Sequence, residues 1–545
     1  MLLKRLLATT TGAIVSKGAA ILTALLLFRQ LPTGDMGRYT AVLTLVGFCT
    51  ILGNAGLNPL TTREIARRDE TAGVWWIRLA PLRLLLALSA YALLVGIALL
   101  VPALVDTRLA LIAGLLLVPD ALAAALAATL TGLGRAALAS WLDALSNLVG
   151  LAATLVVLLV WHAGVLALAW LAIALAIWAL VLNGLATLYV WTGWLLSVRE
   201  RLLASVHQIR LWRLMAPTAT TPNYGHIICL FPQTHAGSHT RTPEPTISKD
   251  AEAFREEVAH RAFGQHFRRH LSAWKQALAA ALPLGLGALA ATLYFRVDTL
   301  FLSAARGGQA VAYYSAPYQI VESFWLISTS WNAIALPALA RHYSPHFVER
   351  SITLLLSIGL PASLLIAFRA EDIARLVFGP IYLPSALPLR LVIWAVPIIF
   401  SYVPLVTALF VHDRQRHVLA VLLANLALAL VLDALLIPPY GVLGASIATL
   451  IVEAGALFGY LLLAQRANLG VVWVRGLLRP ALLCVPLVMV LVVGQCLPFM
   501  FVLPAVILLW AALFGLLRPW EGWRLNLHPT DQSGQAFNIP HLRRW

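Results

Sequence analysis

The sequence predicts an all-α integral membrane protein of about 14 transmembrane helices. They form two parallel-repeat six-helix lobes around a central cavity, with two further C-terminal helices. Three observations predict it. Hydrophobic residues make up 61% of the 545-residue chain and charged residues only 11%, against roughly 25% charged in a soluble domain. Apolar runs of bilayer length, about 20 residues each, recur along the chain. Short motifs also repeat in the same order at a common offset.

The first element is a hairpin. An apolar span from Thr11 to Leu31 meets a tight loop, Pro32-Thr33-Gly34-Asp35-Met36-Gly37, and a second span runs from Arg38 to Leu60. A basic exit, Thr62-Arg63-Glu64-Ile65-Ala66-Arg67-Arg68, closes the unit. The start carries Lys4 and Arg5 before an apolar run, but no small-residue cleavage site precedes Arg29, so the first span is expected to be retained. Further spans centre near residues 91, 121, 149, 178, 289, 323, 361, 398, 427, 452, 488 and 508. Only Leu497-Pro498-Phe499 separates the last two, which read as two crossings or as one re-entrant hairpin.

The expected organisation is an N-lobe over 1–196, a loop over 197–275, a C-lobe over 276–466, and two spans with a tail over 467–545. Placing the N-terminus in the cytoplasm puts most Lys and Arg on that side. The clusters Arg63/Arg67/Arg68/Arg78, Arg341/Arg350, Arg414/Arg416 and Arg466/Arg475/Arg479 all fall there. The net charge of +16 is then a consequence of topology, and nucleic-acid binding is not needed to explain it. Both termini are expected in the cytoplasm.

The 197–275 loop is the one break in composition. Its middle, Pro217 to Asp250, is rich in Thr, Pro, His and Gly without periodicity and is expected to be disordered. Cys229 with His226, His235 and His239 makes a weak metal set, and a solvated linker is the plainer expectation. No metal site and no disulfide framework is predicted from the four cysteines. Phe263, Phe267, Leu271 and Trp274 recur at helical spacing among basic residues. They suit either a basic amphipathic segment on the lipid surface or an extension of span seven.

Internal repetition defines the lobes. Gly37-Arg38-Tyr39-Thr40-Ala41 answers Ala312-Tyr313-Tyr314-Ser315-Ala316, Val118-Pro119 answers Val396-Pro397, and Asn147-Leu148 answers Asn425-Leu426. Phe28-Arg29 answers Phe295-Arg296. Six spans lie between equivalents, and an even number preserves orientation. The halves are therefore parallel repeats, and transporters built this way place their site at the repeat interface.

Buried charge marks the interior. Lys17 and Arg29 lie in span one and Arg296 in span seven. Each costs roughly 2.5–3.5 kcal/mol at mid-bilayer unless it faces water, a ligand or a partner, or snorkels to the headgroups. Asp120, Asp298, Glu322 and Glu453 lie within spans four, seven, eight and twelve. A mid-span carboxylate either binds a proton or sodium or makes a helix–helix hydrogen bond. Arg296 and Asp298 are about 200° apart around one helix, so Asp298 is expected to meet a different neighbour. Pro119, Pro283, Gly285, Gly287, Pro361, Pro397 and Pro404 permit bends and close packing.

The glycine-x-tyrosine after span one, the Arg-Glu-Ile-Ala-Arg exit, Phe295-Arg296-Val297-Asp298-Thr299 and Ile437-Pro438-Pro439-Tyr440-Gly441-Val442-Leu443-Gly444-Ala445 resemble the polysaccharide-biosynthesis flippases. These, including the O-antigen type, belong to the multidrug/oligosaccharidyl-lipid/polysaccharide exporter superfamily. The resemblance covers about 1–196 and 276–470. It implies a non-enzymatic flippase that moves an undecaprenyl-diphosphate-linked oligosaccharide across the bacterial inner membrane. It implies membrane lipids, a polysaccharide polymerase and chain-length machinery as partners, and no cofactor other than a proton or sodium gradient. Lys17, Arg29 and Arg296 become candidate diphosphate ligands; Asp120, Asp298, Glu322 and Glu453 become candidates for ion coupling. No residue is expected to be catalytic. Two features depart from the family's pattern: the long loop, and Asp433, where relatives carry a neutral polar residue. A drug or cation antiporter of the same superfamily should instead have an acidic, aromatic cavity. A membrane glycosyltransferase or polymerase should have a long outer loop or an acidic metal-binding pair.

Overall fold

The computed structural model describes residues 2–67, 72–162, 164–215, 249–494 and 497–517. These residues contain helices and no strand. Twelve helical stretches among them are long and apolar enough to cross a membrane. One of them, Trp274–Arg341, is two membrane-length helices meeting at Gly307, whose φ of 76° lies outside helical geometry. A shorter apolar helix, Phe499–Gly515, completes the expected set. The expected linker, with Cys229, His226, His235 and His239, lies outside the described residues.

The hairpin forms with a shorter turn than expected: Thr33 to Gly37, expected in the loop, already open the second helix, which ends at Asn54 and not at Leu60. Helix α1 (Leu2–Gln30) stops at Leu31-Pro32, and Pro32, in extended geometry, leads into α2 (Thr33–Asn54). Ala55 and Gly56 take left-handed geometry and turn the chain into α3 (Leu57–Arg67). Helix α4 (Ala72–Leu100) follows. Span four is two pieces, α5 (Thr107–Gly114) and α6 (Leu117–Gly132), and the Asp106 side chain caps the first by accepting from the Leu109 amide at 3.1 Å. Helices α7 (Ala136–Leu155) and α8 (Val165–Met215) complete the N-lobe.

In the C-lobe, α9 (Lys249–Arg341) holds spans seven and eight, and its first residues continue span seven as helix. Then come α10 (Pro345–Phe368), a short α11 (Ala370–Ile373), a 3-10 turn (Pro380–Ser385), α12 (Ala386–Val392) and α13 (Ala395–Val411). Helices α14 (Gln415–Tyr440) and α15 (Val442–Arg466) are joined through the Pro-Pro-Tyr-Gly segment. Gly441 carries φ 55°, and Arg306 donates to the carbonyls of Pro438 and Pro439. A Cβ on Gly444 would lie 2.1 Å from the Leu436 carbonyl oxygen, so this turn requires its glycine. The last helices, α16 (Trp473–Val493) and α17 (Phe499–Leu517), are separate. They pack on α10 through Leu364, Leu487 and Val502, and Trp510 Nε1 donates to the Ser357 carbonyl at 2.9 Å. Buried Arg369 donates to the carbonyls of Gly494 and Leu497 and so ties down their turn.

One core cluster is built mainly on the N-lobe and takes in Ala312, Ala316, Phe378 and Tyr382 of the C-lobe; a second lies within the C-lobe. Leu45, Leu94, Leu117 and Ala169 belong to the first, and Ile352, Phe400 and Leu405 to the second. The lobes meet mainly where α2 lies along α9. A Cβ on Gly37 would fall 1.6 Å from the Gly308 carbonyl oxygen, so the two backbones touch. At the other end of α2, a Cβ on Gly56 would fall 2.2 Å from the Ala281 carbonyl oxygen, and one on Gly285 would fall 2.6 Å from the Ala55 carbonyl carbon. Buried Arg83 stiffens this second junction, donating to Asn58 Oδ1 and Thr61 Oγ1, each at 2.6 Å, and to the Leu57 carbonyl at 3.2 Å.

Gly37→Val should lower stability by about 1–3 kcal/mol through overpacking, read as a fall in the unfolding temperature of purified protein in detergent. Gly47→Ala, with nothing within 4 Å of the added carbon, should leave it unchanged.

Candidate functional site

The cations separate once the helices are placed. The repeat register pairs Arg29 with Arg296 at equivalent positions of spans one and seven; the structure places them differently along their helices. Arg29 is in the last turn of α1, exposed, with the chain turning at Leu31-Pro32. Arg296 lies eleven residues before the corresponding break at Gly307, about 16 Å deeper along the helix. Aligning the two turns instead of the two Phe-Arg pairs puts Lys17 and Arg296 within about one helical turn in depth. Lys17 is exposed and shares a helix face with Phe28, eleven residues or about three turns on. Phe28 seats against Phe378 and Tyr382 of the C-lobe, at ring distances of 5.5 and 5.8 Å. Lys17 therefore sits on the C-lobe side of α1. Its neighbour Ser16 faces α7, donating to Asp143, and Asn147 Nδ2 donates to Ser16 Oγ at 3.0 Å.

Arg296 is paired. Its guanidinium lies 2.6 Å from Glu322 Oε1 on the other limb of α9, with side-chain exposures of 33% and 25%. It also stands 5.8 Å from the Tyr318 ring centre. Nothing in the sequence paired these two residues, because twenty-six positions and the break at Gly307 separate them.

The acids occupy different surroundings. Asp298, about 200° around from Arg296, turns into the C-lobe. It accepts from the Tyr314 hydroxyl and, at 2.6 Å, from the Thr299 amide. Tyr314 in turn lies 2.8 Å from Thr449 Oγ1 on α15. Asp298 shares a void of about 20 Å3 with Asp433, Thr449 and Glu453, room for about one water or ion. Glu453 is buried and accepts from the Tyr402 hydroxyl at 3.0 Å. Asp120 stands in the first turn of α6 with no polar side-chain partner among the described residues. Sequence reasoning gave no role to Asp433; the signal was a carboxylate in the middle of an apolar span, eight residues above Asn425 on one helix face.

Next to that void, toward the basic ends of the spans, is a cavity of about 220 Å3. Tyr294, Phe295, Tyr402 and Tyr460 give it aromatic walls, with Asn332, Thr407 and Asn425 among its polar lining. Thr407 Oγ1 donates to Asn332 Oδ1 at 3.0 Å. Among the described residues no group of three or more His, Cys, Asp or Glu is arranged to hold a metal ion.

Residues 2–212 and 253–342, more than half of the chain, match the polysaccharide biosynthesis protein family. The chain belongs to that family. The stretch 213–252 between the two matched segments falls inside the 197–275 loop that departs from the family's pattern, and residues 343–545 lie beyond the match. The fold of this family member is similar to that of a lipid II flippase, MurJ, in an inward closed conformation. The TM-score is 0.62 over 95% of this chain and 98% of that one, at 11% identity. It is also similar to a multidrug resistance MATE family transporter of the MOP superfamily in an inward-facing conformation, with a TM-score of 0.51 over 84% and 98% of the chains at 14% identity. At these identities the likeness is one of fold. No curated protein matches at the sequence level.

Tyr314→Phe removes the hydroxyl that Asp298 accepts from and leaves a buried carboxylate under-satisfied. A loss of about 1–3 kcal/mol in thermal stability is expected, measured by unfolding in detergent. Tyr313→Phe, whose hydroxyl accepts from exposed Gln309, should cost less.

Proposed function

We propose that this chain is a flippase that carries an undecaprenyl-diphosphate-linked oligosaccharide from the cytoplasmic to the periplasmic leaflet by alternating access. The termini lie in the cytoplasm of a bacterial cell, and the product feeds a polymerase and its chain-length machinery. The observation that carries this reading is Arg296, a partly exposed guanidinium at mid-membrane depth, neutralised by Glu322.

The chemistry follows from that pair. An isoprenoid tail can stay in lipid while the headgroup crosses, and the diphosphate then needs cations along the way. A guanidinium binds phosphate oxygens through two parallel N–H groups, and an ammonium binds as a point charge. Lys17 on the facing lobe, at similar depth, is suited to the second role. Glu322 covers Arg296 between substrates and prevents an uncompensated charge in the membrane interior. It also competes with the diphosphate, which favours release. Arg29, at the end of α1, is suited to meeting the headgroup as it leaves or to snorkelling to lipid phosphates.

Coupling belongs with the C-lobe acids. Three carboxylates line one small void, Asp298, Asp433 and Glu453, and they need positive charge between them, either a proton or sodium. Asp298 and Glu453 are therefore the coupling residues favoured by their setting; Asp120 is an N-lobe candidate, and Glu322 acts through Arg296. A second reading, a drug or cation antiporter of the same fold, is favoured by one observation: the aromatic cavity beside Glu453.

Arg296→Ala should lower glycan export by about 10- to 100-fold, the equivalent of roughly 1.5–3 kcal/mol for a charged hydrogen bond, with Lys17→Ala somewhat less affected. Surface polysaccharide in cells with normal levels of the variant is the measurement. Unchanged export in both variants removes the cation assignment. Lost drug resistance with export intact favours the antiporter.

A further inference from the structure

The seam between α1 and α7 holds a polar cluster apart from the Arg296–Glu322 pair and the buried C-lobe acids. The two helices run side by side in the same direction. A Cβ on Gly12 would lie 3.1 Å from Ser140, and one turn further along Ser16 meets Asp143 and Asn147. Each helix turns one side to lipid: on α7 the exposed stripe Trp141, Leu145 and Leu148, on α1 Ile14 and Leu22. Asp143 is exposed on the opposite side of α7, about 160° from that stripe, where Gly150 and Thr154 are buried. On α1 the turn away from lipid leads past buried Ser16 to Ala13, Lys17 and Ala20, all exposed. In parallel neighbours these two faces converge. Asp143 and Lys17 therefore open onto one space at one depth, and the two alanines leave it unfilled.

The carboxylate is held in place but not saturated. Ser16 donates to Asp143 Oδ2. Asn147 Nδ2 donates to Ser16 Oγ and to the Asp143 carbonyl, each at 3.0 Å, and reaches Asp143 Oδ1 at 3.4 Å. An ionised carboxylate has about four acceptor positions, and these contacts engage half of them. Asn147 Oδ1 accepts no hydrogen bond among the described residues, and no cation among them pairs with Asp143. The open surface here thus consists of acceptors alone, with the Lys17 ammonium beside it.

We propose that Asp143 and Asn147 form the subsite for the sugar bonded directly to the diphosphate, and that they make the protein selective for it. The subsite rests on the flippase reading above and adds to it a specificity-determining pair in the N-lobe. A row of acceptors beside a cation is complemented by a ligand with donors beside an anion. A sugar bonded to phosphate is such a ligand, through its hydroxyl or amide N–H groups. Like charge keeps the diphosphate off Asp143 and on the Lys17 side, so the headgroup has one orientation. Asn147 is one turn, about 6 Å, further along α7 than Asp143, a separation that one sugar ring spans. Ser16 fixes the carboxylate and is a positioning residue.

The test titrates full-length protein in nanodiscs with geranylgeranyl diphosphate, and with the same lipid bearing one N-acetylglucosamine, glucose or galactose. Native mass spectrometry reads the affinities. Wild-type protein should bind at least one glycosylated lipid about 10-fold more tightly than the bare one, the effect of a hydrogen bond to a charged group. Asp143→Ala should erase that preference and leave the affinity for the bare lipid in place. Asp143→Asn keeps an acceptor for Ser16 and should lose most of the preference; it decides the question if Asp143→Ala does not fold. Lys17→Ala should weaken both kinds of lipid alike. No preference in the wild type, a preference that survives in the Asp143 variants, or equal weakening of all the lipids by them overturns the subsite. If those variants lose the preference while Lys17→Ala and Arg296→Ala bind every lipid as before, the subsite stands and the cation assignment fails. If Asp143→Ala instead abolishes binding of tetraphenylphosphonium and keeps the sugar preference, the carboxylate serves an antiporter and the subsite falls.

Discussion

The backbone contact between α2 and α9 is the constraint on which the rest depends. Two lobes have to meet in lipid, where burying more apolar surface brings no gain. Close approach of small residues is what remains to hold helices together there. Gly37 and Gly308 allow that approach at one end of α2, and Gly56 and Gly285 at the other. Phe28 against Phe378 and Tyr382 adds a smaller seam between α1 and the C-lobe. Because α9 contains both span seven and span eight, each junction bears on the helix that carries Arg296, Asp298 and Glu322.

Charge placement follows from the same geometry. The break at Gly307 folds α9 back on itself and brings Glu322 to Arg296. Breaking such a pair on one side leaves an uncompensated charge, which is far costlier than removing both. The two faces of one helix then divide the work. Arg296 looks toward a partly exposed space, and Asp298 looks into the packed C-lobe, where Tyr314 holds it to Thr449.

The register of the repeat shows where reading residues in order stops working. Phe28-Arg29 and Phe295-Arg296 are alike as dipeptides, yet one ends a helix and the other lies about 16 Å from a turn. Dipeptide likeness carries no information about where a helix ends; Pro32 and Gly307 do. Asp433 stood out in the chain only as a departure from the family's neutral polar residue, and was given no role. Its neighbours in space, Asp298, Thr449 and Glu453, come from two other helices. The separation of Asp298 from Arg296, by contrast, was legible, because it depends only on helical pitch.

What the sequence determined by itself was local or compositional: a membrane protein, the number and approximate centres of its spans, the parallel repeat, and the cations and acids set within apolar runs. Those follow from hydrophobicity and from the fixed rise and rotation of a helix. The tertiary structure decided which charge meets which, that Lys17 rather than Arg29 matches Arg296 in depth, and that Asp433 joins the buried acids. Each of these depends on how helices distant in sequence are placed against one another, and side-chain packing across helix faces sets that placement.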